Sequence, residues 1–399
     1  MNSPNTQSRR SNFQQVLLIG GIVLIAINLR PALAGVGPLV GAIRESTGLS
    51  NTLLGLLTTL PLLCFAVLST LTPLFTRRFG IEGTLAGALL LLTAGILLRV
   101  LHSVPALFAG TLFVGIAIAF GNVLLPSIVK RDFPHRTGIM TSVYSSVMSL
   151  GAALAAGVSV PIAAGLGWGW RWSLGSWAAL SFLALLIWLP QLQHTTLPGR
   201  SRSFRKAMKD LGGSLLAWQV ALYVGLQSFT FYVILAWLPE ILQGRGFDPS
   251  TAGWLLSLSQ GIGILGTMLI PPWAEKQDGQ RKLVLQLSVL EGLSLVGLLL
   301  PFNSWMPLWV SLLGFALGGS YGLALLFIVF RSSNTETATE LSGMSQSIGY
   351  TLASVGPTLF GALHDLTRAW LIPLLLLFLV GLVKLFMGLG AGKPRELDK

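Results

Sequence analysis

Twelve long apolar segments, most near 20 residues or more, take up nearly all of this chain. A helix rises about 1.5 Å per residue, so about 20 apolar residues cross a hydrocarbon core of roughly 30 Å. The segments read as 14–40, 53–75, 82–101, 105–129, 138–165, 172–190, 214–239, 250–272, 282–301, 306–330, 340–363 and 370–391. They are too long for barrel strands and lack period-two alternation, which excludes a transmembrane β-barrel. Several carry Gly and Pro internally, which membrane helices tolerate because neighbouring groups satisfy the freed backbone. Only 10% of the 399 residues are charged, against about 25% in a soluble domain. The expected fold is therefore an all-α membrane protein with twelve transmembrane helices.

The formal net charge of +12 raises the question of nucleic acid, and the placement of the charges answers it. With the N-terminus inside, 20 of the 26 Lys and Arg fall in inner regions. Five (Arg44, Arg99, Arg171, Arg245 and Arg368) fall outside, and Arg30 lies within the first span. This is the positive-inside pattern of a multi-pass protein of a bacterial-type cytoplasmic (inner) membrane, with both termini cytoplasmic. It accounts for the charge without nucleic acid. Lys384 is counted on the inner side, where its long stem can snorkel to the interface. Ser8-Arg9-Arg10-Ser11 resembles a twin-arginine export signal, but no small-residue cleavage site follows, so a retained first span is expected. The four histidines are scattered and Cys64 stands alone, so no metal site or disulfide is expected.

The chain divides near its middle. Residues 191–213 form a polar, basic connection on the inner side, read as a solvated linker near anionic headgroups. It separates an N-terminal half, 1–190, from a C-terminal half, 214–399, each of six spans. The halves echo one another. Gly121-Asn-Val-Leu-Leu-Pro-Ser-Ile-Val-Lys-Arg131 precedes Tyr321-Gly-Leu-Ala-Leu-Leu-Phe-Ile-Val-Phe-Arg331 by about 200 residues, in equivalent spans. Two six-span pseudo-repeats are the pattern of a secondary transporter with a midplane site between them.

Between spans two and three, Pro73-Leu-Phe-Thr-Arg77-Arg78-Phe-Gly80 resembles the major facilitator signature G-x-x-x-D-R-x-G-R-R. Arg78 and Gly80 match, while Arg77 replaces the aspartate and Pro73 the first glycine. A closer resemblance is to the cyanate permease and 2-nitroimidazole transporter branch of that superfamily. It is carried by Asn28-Leu29-Arg30-Pro31, Gly55-Leu-Leu-Thr-Thr-Leu-Pro61, Gly121-Asn122-Val-Leu-Leu-Pro126, Trp237-Leu-Pro239 and Leu341-Ser-Gly343-Met-Ser-Gln346. The resemblance implies the twelve-helix major facilitator fold, transport activity and a small polar or anionic solute.

Arg30 carries the site. A charge within a bilayer costs roughly 3 kcal/mol or more unless it faces protein or water. Pro31 removes a backbone donor and frees the carbonyl of Ile27, so span one is expected to bend there. A guanidinium offers planar paired donors to an anion or nitro-like group; the alternative is an internal structural pair. Span seven, the equivalent of span one, has Gln227, Ser228, Thr230 and Tyr232 at similar depth but no charge. The candidate substrate-binding residues are Arg30, Asn122, Gln227, Tyr232, Gln260, Tyr321, Gln346 and Tyr350. Each neutral one could instead be an interhelical hydrogen bond. Glu291, a carboxylate near the middle of span nine, is a candidate for proton coupling or a neutral acid bonded to a neighbour. Arg78, Arg131, Asp132, Arg331 and Glu336 are candidates for an inner gate, or topology charges alone.

The leading expectation is a secondary active transporter working by alternating access around Arg30. Uptake of a cyanate-like anion and export of a nitroimidazole-like compound both remain open, as does an exporter with unrelated cargo. A membrane-embedded enzyme or a sensor is the distant alternative, since no catalytic cluster or output domain is visible. The expected partners are a small-molecule substrate, the bilayer and a candidate coupled proton, for a monomeric chain without cofactors.

Overall fold

The computed structural model describes residues 12–133, 136–194, 211–333, 335–395 and 397 and has no strand among them. The basic flank at Arg9 and Arg10, most of the linker and the side chain of Glu336 lie outside the described residues. Ten helices are long and apolar enough to cross a membrane. Two more complete the twelve. Span nine, Arg281–Gly297, has only 17 residues. Span eleven, Thr335–Thr367, is long at 33 residues but interrupted by Ser, Thr and Gln, as befits a helix that meets a polar cavity.

Span one is broken where Pro31 requires it. Asn12–Asn28 stops, Pro31–Ala34 restarts, and a tight turn at Gly37–Leu39 leads into Val40–Thr47. Arg30 sits in the break and caps the short helix, its carbonyl accepting from the Ala34 amide at 2.9 Å. Arg99, buried at the end of span three, donates from Nη1 to the carbonyl of Ala32 at 2.8 Å and pins the restarted turn.

Spans two and three form one run, Asn51–Leu98, turned at Gly80 with φ 69° and ψ 174°. A side chain would clash in that conformation, so the glycine of the signature-like stretch makes the inner turn. Span four is Val104–Asp132, span five Thr137–Val160, and span six Gly169–Gly175 followed by Trp177–Trp188. After the linker come span seven, Leu215–Gln243, span eight, Pro249–Glu275, span ten, Met306–Phe330, and span twelve, Leu371–Ala391.

The apolar core is continuous between the first six and last six spans through Leu39, Leu57, Trp237, Ile241 and Phe360, toward the outer side. The inner ends of spans seven to twelve pack instead into a cluster of their own around Val220, Val284, Phe327 and Met344. The two groups of helices thus share one core at the end that carries Leu39 and Ile241 and pack in separate clusters toward the other.

One expectation is corrected. Lys384 does not snorkel: it is 0% exposed. Its ammonium meets the Glu291 carboxylate of span nine. It therefore no longer counts among the inner-side charges of the sequence reading. Among the described residues, the arginines at the ends of spans four and ten have these partners. Arg131 Nη2 lies 2.8 Å from Glu82 of span three and 2.7 Å from Asp132. Arg331 is 4% exposed and holds Gln280 of span nine and, at 2.6 Å, the carbonyl of Ala391. Each arginine thus ties helices of its own six-span group, at matching places in the repeat. Arg78 is exposed and lies over the Phe79 ring at 5.4 Å.

Candidate functional site

A cavity of about 80 Å³ lies between spans one, five, seven, eight, ten and eleven, and Arg30 faces it. The break in span one aims the arginine across the molecule rather than along its own helix. Nη1 donates to the Tyr232 hydroxyl of span seven at 3.0 Å. The guanidinium carbon stands 5.4 Å from the Phe231 ring centroid and 5.7 Å from that of Tyr232. Aromatic faces attract a cation without neutralising it. Among the described residues no Asp or Glu lines the cavity. The phenol uses one N–H, which leaves the fork of remaining donors for a solute.

Of the sequence candidates, Arg30, Gln227, Tyr232, Gln260, Tyr321 and Tyr350 come together on this cavity. Two do not. Asn122 is half-buried on span four, which contributes no lining residue. Gln346 turns back along span eleven and donates to Ser342 Oγ at 3.1 Å. Thr230 also bonds its own helix, at Leu226 O, 3.2 Å away. Glu291 lies off the cavity, behind Gln227.

Sequence reasoning missed Phe231, Ser149, Ser259 and Thr267, all on the wall. Ser145 and Ser149 stand one helical turn apart, a small-polar spacing that could have flagged span five. Ser259 and Thr267 owe their position to close approach of spans eight and ten. A β-carbon at Gly318 would lie 1.9 Å from the Gly263 carbonyl, so only glycine admits the packing that lets Thr267 Oγ1 donate to Gly318 O at 3.0 Å.

The profile of the Major Facilitator Superfamily matches residues 17–361. The chain belongs to that superfamily. It is 44% identical to the uncharacterized transporter YycB of Bacillus subtilis (strain 168), over 96% of this chain and 95% of that one. Identity to the 2-nitroimidazole transporter of Escherichia coli (strain K12) is 40%, covering 97% and 98%. Identity to the cyanate transport protein CynX of the same organism is 28%, covering 88% and 90%. The crystal structure of a D-xylose-proton symporter superposes with a TM-score of 0.79 at 15% identity, covering 98% of this chain and 99% of that one. The likeness shows the same fold. This chain is a multi-pass membrane transporter, not an enzyme.

In this major facilitator protein, charged side chains join the two groups of spans at the end where spans one and seven finish. Arg44 of span one reaches Glu240 of span seven at 2.5 Å. Asp365, in the last turn of span eleven, accepts from the Thr52 amide and hydroxyl, each at 2.8 Å, and from Asn51 Nδ2 at 2.7 Å. Deeper in, Thr59 Oγ1 donates to Ser354 O at 2.7 Å, and a β-carbon at Gly55 would sit 2.6 Å from the Pro357 carbonyl. The end of the bundle that carries these contacts is closed. Tyr321, by contrast, lines the cavity yet is 39% exposed.

The outer pair gives a direct expectation. Arg44→Glu should weaken closure, and Arg44→Glu with Glu240→Arg should restore it. A half-exposed pair is worth up to about 1 kcal/mol, or roughly fivefold. In a Cys64→Ala background with Ser228→Cys, labelling by an impermeant maleimide from outside should rise by that factor and fall again in the swap. Equal labelling in all three would remove the pair from the gate.

Proposed function

We propose that the protein moves a small planar solute with an anionic or nitro-type acceptor group, by alternating access of halves 1–190 and 214–399 about Arg30. The observation that carries this reading is the guanidinium itself. It sits in a cavity without carboxylates and has one hydrogen bond to protein among the described residues. A charge kept inside a membrane span without a compensating carboxylate calls for an anionic or acceptor-rich ligand. Two coplanar oxygens, as in a nitro or carboxylate group, match the guanidinium fork.

The rings of Phe231, Tyr232, Tyr321 and Tyr350 suit a flat molecule, and the 40% identical relative is named for 2-nitroimidazole. That favours a nitro-heterocycle. Cyanate, named for the 28% identical relative, is the second reading, favoured by the small cavity of about 80 Å³. The proposed setting is the bacterial inner membrane with both termini cytoplasmic. The outer-closed, inner-open form is then the cytoplasm-facing state, and Arg44–Glu240 and Asp365 form the outer gate.

The test is a thermal-shift measurement on purified protein with 2-nitroimidazole and with cyanate. A ligand at 100 times its Kd adds about 2.7 kcal/mol to stability, a rise of several degrees. The rise should vanish in Arg30→Ala. No shift with either compound, or an equal shift without Arg30, sinks the proposal.

A further inference from the structure

Behind the cavity wall lies a buried charge pair whose link to the cavity is a single side chain. Glu291 of span nine and Lys384 of span twelve are 1% and 0% exposed. Their contact needs no membrane surface and touches no solute directly, since neither lines the cavity. Lys384 Nζ also donates to Gln227 Oε1 at 3.1 Å. On its other side Gln227 Nε2 donates to the carbonyl of Leu317 at 2.6 Å.

These two bonds leave the amide no choice of orientation. An ammonium only donates, so the atom facing Lys384 must be the oxygen. A backbone carbonyl only accepts, so the atom facing Leu317 must be the nitrogen. A glutamine amide in a neutral pocket can flip and serve a donor or an acceptor equally. Here a flip would set an NH₂ against an ammonium and an oxygen against a carbonyl. Gln227 is therefore held with its oxygen toward the charge pair and one N–H unspent beside the cavity.

We propose that the Lys384–Glu291 pair is a positioning device that locks Gln227 as a fixed hydrogen-bond donor to the transported solute, so that Gln227 and Arg30 together select acceptor groups and reject cations. Glu291 has the lesser part: its carboxylate partners and aims Lys384 inside the membrane, where a lone ammonium would be expensive. The device rests on the acceptor-solute reading given above and narrows it. A solute must offer acceptors in two directions, one toward span one and one toward span seven.

The experiment is a double-mutant cycle on the full chain, with Kd measured by calorimetry for 2-nitroimidazole and for cyanate. Lys384→Met with Glu291→Met removes both charges together and avoids a stranded one. Gln227→Leu removes the donor. Each is expected to raise Kd about tenfold, and the triple variant is expected to be no weaker than Gln227→Leu alone, because the pair acts only through that amide. The charge swap Lys384→Glu with Glu291→Lys keeps the pair but puts a carboxylate beside Gln227. It favours the flipped amide and should lower affinity at least as far. Multiplicative effects near a hundredfold in the triple variant, or a double variant that binds as the unaltered protein does, overturn the device while leaving the Arg30 site standing. Absence of binding of either compound by the unaltered protein overturns both.

Discussion

Arg30→Ala is expected to lower the kcat/KM of uptake by about 100-fold or more while leaving the melting temperature nearly unchanged. A charge-assisted hydrogen bond contributes about 1.5–3 kcal/mol, and a planar acceptor on the guanidinium fork makes two. Their loss spans one to several powers of ten. Stability should hold because the arginine supports little of the fold. Its hydrogen bond to protein runs to one phenol, and the broken turn around it is pinned by Arg99 at Ala32. Arg30→Lys keeps the charge but presents a point rather than a fork, so an intermediate loss of about tenfold is expected. Tyr232→Phe frees the occupied N–H and should change KM less than threefold. If Arg30 were an internal structural pair instead, Tyr232→Phe and Arg30→Ala would both unfold the protein to similar extents. Uptake into proteoliposomes, with thermal denaturation of the same preparations, separates the two cases.

Depth along a helix could be read in the sequence, and direction around it could not. Arg30, Gln227, Tyr232, Gln260, Tyr321 and Tyr350 were chosen because they lie at mid-span, and they meet on one cavity. Asn122 and Gln346 lie at comparable depth and do not, because span four is set back and Gln346 is spent on Ser342. In a helix that is apolar nearly all round, the pattern of residues carries little information about which face looks inward. The helix ends misled for another reason. Arg44 and Arg131 each fit the charge pattern of a membrane topology, and that pattern is silent about partners. The partner of Arg44 is 196 positions away and the strongest contact of Arg131 outside its own turn is Glu82. The repeat held one usable clue. Arg44 and Glu240 end the equivalent spans one and seven with opposite charges on the same side of the membrane.

Lys384→Met alone is expected to destabilise the protein by about 3–5 kcal/mol, the cost of leaving one partner of a buried pair without the other. The stranded group is the Glu291 carboxylate, already short of partners: its Oε1 is buried with no hydrogen bond. Lys384→Met together with Glu291→Met should recover most of the loss, since two apolar side chains of similar length replace two charges that were costly to bury. Denaturation of the single and double variants in detergent measures both numbers. Recovery of stability in the double variant, joined to its weaker binding of an acceptor solute, would separate what the pair does for the fold from what it does for the site. A pair kept only for stability has no reason to be ionic in the middle of a membrane, where methionine or leucine fills the same space at no desolvation cost. A pair kept to aim one amide has such a reason, because an ammonium donates and cannot accept, which fixes the end of Gln227 that faces it.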